Sequence, residues 1–264
     1  MSYTVYCVDV EATGPDLKND RLIQLAFLKV TGETIEAYDD LCYTDIEMND
    51  AVVAVHGITN AMLEEKYWPD ETDAFLELER GNVPENYFVS HGNGLDIAML
   101  EHEGLELKMQ RIDTDKCARM LLKEAPSYKL QDLVERYGLA ERAEAIARKI
   151  GLKDLDAHDA LTDALWHYVI FDLLLEKVDG EIDRLVRLTE EPMLLEKITF
   201  GKHKGKSFEE VFEKSPEDLV WAYVNMAKDW PDLDYTLEHW LKQKEYFWKK
   251  AKKEREEADR TLFF

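Results

Sequence analysis

The chain has 264 residues, 56 of them acidic against 33 basic, for a formal net charge of −23, and only three cysteines. With 45% hydrophobic and 34% charged residues it can bury a core, and so acidic a balance argues against a broad basic surface for polyanions. No apolar run reaches the roughly 18 residues of a membrane span, and the N-terminal stretch lacks the basic head and long apolar segment of a signal peptide. A cytoplasmic protein is expected. Cys7, Cys42 and Cys117 form no CxxC pair and are expected as buried, reduced thiols rather than zinc ligands.

In chain order, Thr4–Val10 is an apolar, β-rich strand. Leu22–Val30 and Glu33–Tyr43 follow as strands joined by a turn at Thr31-Gly32. Helical patterns cover Ala61–Lys66 and Asp70–Arg80, Tyr87–Ser90 is a short buried strand, and Leu95–Glu103 is a helix after Gly94. Helices then dominate: Thr114–Lys123, Leu130–Tyr137 and Asp159–Glu176. Strands first and helices interleaved later predict an α/β fold with a mixed sheet and flanking helices. Charge is unevenly placed, with a net of −19 over residues 1–178 and −4 over 179–264. That shift, with Glu191-Pro192 beside it, predicts a first domain over 1–178 and a small, mainly helical C-terminal domain over 190–264.

Three short segments carry chemistry. In Asp9-Val10-Glu11, side chains two apart on a strand project from one face. Two adjacent carboxylates repel unless a hard cation such as Mg²⁺ or Mn²⁺ lies between them; a solvated strand end is the alternative. His91-Gly92-Asn93-Gly94-Leu95-Asp96 joins a strand to a helix through a glycine-rich turn, setting Asp96 at the mouth of the sheet or simply in a helix's first turn. Asp163 lies in a largely apolar helical pattern, where a lone acid is unwelcome unless it faces a metal. His158, five residues earlier, reaches the same site only from the loop or frayed helix start, where it is a candidate general base.

Together, in this order, the segments resemble the motifs of the DEDDh (DnaQ-like) 3′→5′ exonuclease family, with its ribonuclease H-like fold. Asp9, Glu11, Thr13 and Gly14 match the first motif, His91 and Asp96 the second, and His158, Ala160 and Asp163 the third. Val55-His56-Gly57-Ile58-Thr59 and Tyr128–Leu133 also look like family segments. Ala12, Gly92 and Leu95 depart from the family's usual residues. The resemblance implies two Mg²⁺ (or Mn²⁺) ions, one held by Asp9, Glu11 and Asp163 and the other by Asp9 and Asp96. It implies His158 as base and nucleoside 5′-monophosphates as products. It further implies nucleotide contacts from Ala12, Thr13, Gly14, His56, His91 and Asn93. The partner would be DNA with a free 3′ end, single-stranded by preference. RNA at the same site is the alternative, and an adaptor on an inactive nuclease fold is a lesser one, since all five catalytic positions are kept.

In the C-terminal region, Gly201-Lys202-His203-Lys204-Gly205-Lys206 has three residues between its glycines where a Walker A loop has four. With Pro216–Ala222 it is instead similar to the C-terminal element of exodeoxyribonuclease X-type enzymes. Lys202, Lys204 and Lys206 are candidate phosphate contacts. Trp240–Arg255 holds seven basic and two acidic residues among aromatics, which suits either single-strand stacking or an amphipathic helix with its aromatics inward. The terminal Leu262-Phe263-Phe264 is a candidate sliding-clamp contact, or a tail folded onto its own domain.

Overall fold

The computed structural model describes residues 3–16, 18–92, 94–152 and 159–261. The chain divides into two compact units, Met1–Thr189 and Glu190–Phe264.

The first unit is built on a five-stranded mixed sheet of order β3-β2-β1-β4-β5. Strands β1 (Val5–Ala12), β2 (Leu22–Thr31) and β3 (Thr34–Leu41) form an antiparallel meander, while β4 (Tyr87–Ser90) and β5 (Gln110–Asp113) continue parallel from β1. The strict alternation of β1 sorts its side chains onto two faces. Tyr6, Val8, Val10 and Ala12 enter one core with residues of α3 (Asp73–Gly81) and α4 (Gly94–His102). Val5 and Cys7 enter the other core, with residues of α5 (Thr114–Leu121), α6 (Leu130–Arg136), α7 (Ala140–Ile150) and α8 (Ala160–Lys177). Asp9 and Glu11 continue this second face. Helix α9 (Ile182–Glu190), which the sequence reading left between its two domains, buries Ile182, Leu185 and Val186 in the same core. Tyr87 Oη donates to Asp183 at 3.1 Å, and the Asp113 backbone N–H donates to Thr189 Oγ1 at 2.9 Å.

Several expected elements shift. The β2–β3 turn is Gly32-Glu33 rather than Thr31-Gly32, because Thr31 pairs with Thr34 and only glycine enters the left-handed backbone of the first turn position easily (φ +58°). The helix expected at Ala61–Lys66 is the single turn α2 (Asn60–Leu63), preceded by α1 (Asp50–His56), which Asn49 caps. All three cysteines are buried free thiols, and burial pushes Cys42 and Cys117 up to about 12.

The second unit packs α10 (Phe208–Lys214), α11 (Pro216–Asn225), α12 (Pro231–Leu241) and α13 (Glu245–Thr261) around Phe208, Phe212, Leu219, Tyr223, Leu233 and Leu237. Trp240, Phe247 and Trp248 pack against this core, with the Lys242 and Lys252 ammoniums 4.9 and 5.4 Å from the Trp248 ring centre. The inward-facing amphipathic arrangement is the one observed for these three rings. No helix among the described residues is long and apolar enough to cross a membrane.

Candidate active site

Pairing between β1 and β4 runs only from Val5/Tyr87 to Cys7/Val89. Beyond it, side chains serve the backbone of β1. The Val8 carbonyl accepts a hydrogen bond from His167 Nδ1 at 2.8 Å, and the Val10 backbone serves the Asp96 carboxyl. The β1–β2 register also slips between Glu11 and Ala12, an irregularity of the kind that re-aims side chains. Asp9 and Glu11 thus sit at the carboxyl end of the central strand, where α/β sheets open their ligand crevices.

The other two acids arrive on helices. Asp96 lies in the first turn of α4 and is 7% exposed. Asp163 lies in the first turn of α8, whose N-cap Asp159 accepts from the Thr162 N–H and hydroxyl at 2.9 and 3.0 Å. A negative charge is favoured in a first turn by the helix dipole, but here it meets three others. Burial, then Asp96, Asp163 and Glu11, raise the Asp9 carboxyl well above the usual range. Glu11 is pushed up to about 8 by burial first and then by Asp163 and Asp96. Burial pushes Asp96 up to about 7 against the lowering effect of the Ser90 hydroxyl and the Val10 backbone. All four carboxylates therefore belong to one electrostatic cluster that disfavours its own charge. Among the described residues, no group of three or more His, Cys, Asp or Glu side chains is already arranged to hold a metal ion. The donor set itself, oxygen-only and crowded with negative charge, fits a hard divalent cation.

The remaining predicted residues separate into several groups. His158 and Asn93 lie outside the described residues, as do Leu262, Phe263 and Phe264. Ala12 is buried in the core beside α4. The Thr13 side chain is not free for a nucleotide. It is buried in the turn after β1, donating to Asp20 Oδ1 at 2.8 Å and accepting from the Arg21 N–H at 3.0 Å. His91 is likewise turned inward, one ring nitrogen against Thr114 Oγ1 at 2.9 Å and the other donating to the Tyr128 carbonyl at 2.7 Å. It ties the end of β4 to the Tyr128 segment. Gly92 adopts φ +77° and donates to Asp113 Oδ1 at 3.0 Å, a left-handed backbone that glycine and asparagine enter most readily. His56 Nδ1 accepts from the Ile58 N–H at 3.1 Å, its Nε2 is buried without a partner, and burial lowers its pKa.

Two residues of the site escaped the sequence reading. His167 is 2% exposed, stacked on His91, and one helical turn after Asp163. Its Nδ1 must carry the proton to bond the Val8 carbonyl, and burial, then His91, push its pKa down to about 3. Its unprotonated Nε2 therefore faces Asp9 Oδ1 at 3.7 Å. The i, i+4 spacing from Asp163 was the available signal. Asp20 organises the turn through Thr13 and through the Asp16 N–H at 2.7 Å. A Cβ on Gly14 would stand 2.5 Å from its Oδ2. Gly14→Ala is expected to lower the unfolding free energy by about 1–3 kcal/mol, the cost of overpacking, as measured by urea denaturation.

A model of the family described as Exonuclease matches residues 6–171, and one described as Exodeoxyribonuclease X-like C-terminal matches residues 198–227. The sheet, the ordered acids and a match over more than half the sequence define the class: the chain belongs to the exonuclease family and is a 3′→5′ exonuclease. It is 26% identical over 231 residues to exodeoxyribonuclease 10 of Escherichia coli K12, across 83% of this chain and 92% of that protein. It is 28% identical over 182 residues to the DNA polymerase III subunit epsilon of Aquifex aeolicus, across 66% and 82%. Two solved structures share its fold, each with a TM-score of 0.52. Exonuclease X in complex with 5′ overhanging duplex DNA is 20% identical, over 71% of this chain and 99% of that one. Escherichia coli exonuclease I in complex with a dT13 oligonucleotide is 17% identical, over 72% and 46%. Exonucleases of this type depend on divalent metal.

Proposed function

We propose that this chain is a 3′→5′ exodeoxyribonuclease that releases nucleoside 5′-monophosphates from single-stranded or frayed DNA ends. The observation that carries the reading is the cluster of Asp9, Glu11, Asp96 and Asp163 at the end of β1, in which burial and then the charges of Asp96 and Asp163 raise the pKa of both Asp9 and Glu11. Asp9, Glu11 and Asp163 would hold one Mg²⁺ or Mn²⁺ ion, and Asp9 with Asp96 a second. When bound, such a pair supplies Lewis-acid stabilisation of charge on the phosphoryl group and the leaving 3′ oxygen. His158 takes the proton from the attacking water. His167 holds the Val8 carbonyl and with it the strand segment that presents Asp9, while the Thr13–Asp20 turn fixes the backbone beyond Glu11. DNA rather than RNA is favoured by the similarity to exodeoxyribonuclease 10 across both units.

The test follows a 5′-labelled single-stranded DNA and its RNA counterpart with Mg²⁺ or Mn²⁺. A metal-dependent ladder shortening from the 3′ end on DNA is the expected result. Shortening of RNA alone would transfer the chain to exoribonuclease activity, and an inert protein in either metal would overturn the reading.

A further inference from the structure

The second unit contains a cavity of about 460 Å³ between a lysine-rich loop and α11. The loop is closed by a bridge between Lys197 and Ser207 and by reciprocal bonds, Ile198 N–H to the Lys206 carbonyl and Gly205 N–H to the Ile198 carbonyl, both 2.8 Å. Gly201 and Gly205 take φ values of +59° and +88°, which let the chain turn tightly enough to leave the cavity open. Its walls are Ile198, Phe200, Leu219 and Trp221, and its polar lining is Lys202, His203 and Asp218.

Three features of this cavity are unexplained by packing. The Trp221 indole is 58% exposed although the unit's other tryptophans described here pack against its core. Lys197, Lys204 and Lys206 stand exposed on the loop beside the lining Lys202. The one acid in the lining, Asp218, is already occupied: Lys202 Nζ and His203 Nε2 each lie 2.9 Å from its carboxylate. The loop therefore presents positive charge in a chain of net −23. Finally, with Nε2 committed to Asp218, His203 Nδ1 is buried without a hydrogen-bond partner in the chain, a polar atom that a ligand could satisfy.

From this juxtaposition we infer that the cavity is a second nucleotide-binding site, taking a base of single-stranded DNA against Trp221 with its phosphates at the loop lysines. Aromatic stacking plus lysine charge is the combination that holds single strands without sequence preference, and the unpartnered His203 Nδ1 is a polar atom that a base edge, carrying both donors and acceptors, can satisfy. An apolar peptide would use the rings but leave the lysines unanswered. The inference rests on the exonuclease reading above and adds a substrate contact outside the catalytic acids.

Steady-state hydrolysis by the 264-residue chain tests it, using a dT20 oligonucleotide and a thymidine dinucleotide as the short reference substrate. Trp221→Ala is expected to raise KM for dT20 about tenfold, the scale of one lost base stack, with unchanged kcat and unchanged dinucleotide hydrolysis. Trp221→Phe should recover most of the loss. Lys204→Ala with Lys206→Ala should weaken dT20 binding and flatten its salt dependence by about 0.7 units of slope per lost phosphate contact. Wild-type KM and wild-type dT20 anisotropy in Trp221→Ala would overturn the inference and leave the cavity to a peptide. Should the unaltered protein fail to hydrolyse DNA, the exonuclease reading falls separately, and anisotropy with dT20 still decides the cavity.

Discussion

Asp163→Asn is expected to lower DNA hydrolysis about a thousandfold, equivalent to about 4 kcal/mol of barrier, while raising the thermal stability of the metal-free protein at neutral pH. The two effects have one cause. Asp163 is among the largest contributors to the raised pKa of both Asp9 and Glu11, so replacing it by a neutral amide of the same shape relieves repulsion in the folded state. The same replacement removes a ligand from the proposed cation site, where charge stabilisation is worth several kcal/mol. Oligonucleotide kinetics and thermal melts in EDTA read the two quantities independently. A variant that kept its activity would remove Asp163 from the catalytic set. One that lost activity and also melted earlier would assign it a structural role.

The second large effect is a pH dependence of opposite sign to that of most acidic proteins. Glu11 titrates near 8 and Asp96 near 7 in the fold, against 4.5 and 3.8 for the ordinary side chains, and Asp9 is raised as well. Carboxyls raised in this way bind protons more tightly in the folded than in the unfolded chain. Their contribution to stability is complete below the unfolded values and is lost as pH rises through the folded ones. In EDTA the melting temperature of the first unit should therefore fall by several degrees between about pH 5 and about pH 8. Saturating Mg²⁺ or Mn²⁺ should restore it most at the alkaline end, since cation binding requires ionised ligands. A melting temperature that rises across that interval without metal would refute the clustered-carboxylate account.

Much of this site was legible in the sequence because its members obey simple spacings. Asp9 and Glu11 share a strand face by alternation, and Asp96 and Asp163 fall in the first turns of helices whose starts are marked by Gly94 and Asp159. Strand β5 was not legible, since Gln110–Asp113 offers only Ile112 to the core, too few apolar residues to set a period. Helix α7 was missed although Ala143, Ile146, Ala147 and Ile150 follow the i, i+3, i+4, i+7 spacing and pack on the core; its two fully buried members are alanines, and the stripe stands among charged residues. The inward orientation of Thr13 and His91 was hidden for another reason. Their partners, Asp20, Arg21, Thr114 and Tyr128, are fixed by tertiary contact, and a motif does not say whether a conspicuous side chain faces a substrate or its own fold.

The three buried thiols have a practical consequence. Cys7, Cys42 and Cys117 are each 0% exposed and carry raised pKa values, so maleimides and disulfide reagents find neither access nor thiolate in the native state. A cysteine introduced at Thr199, exposed on the loop and outside the cavity lining, would consequently be the sole reactive thiol of the native protein. A fluorophore could be attached beside the α11 cavity with the natural cysteines left in place, giving a reporter of occupancy in the otherwise unaltered enzyme.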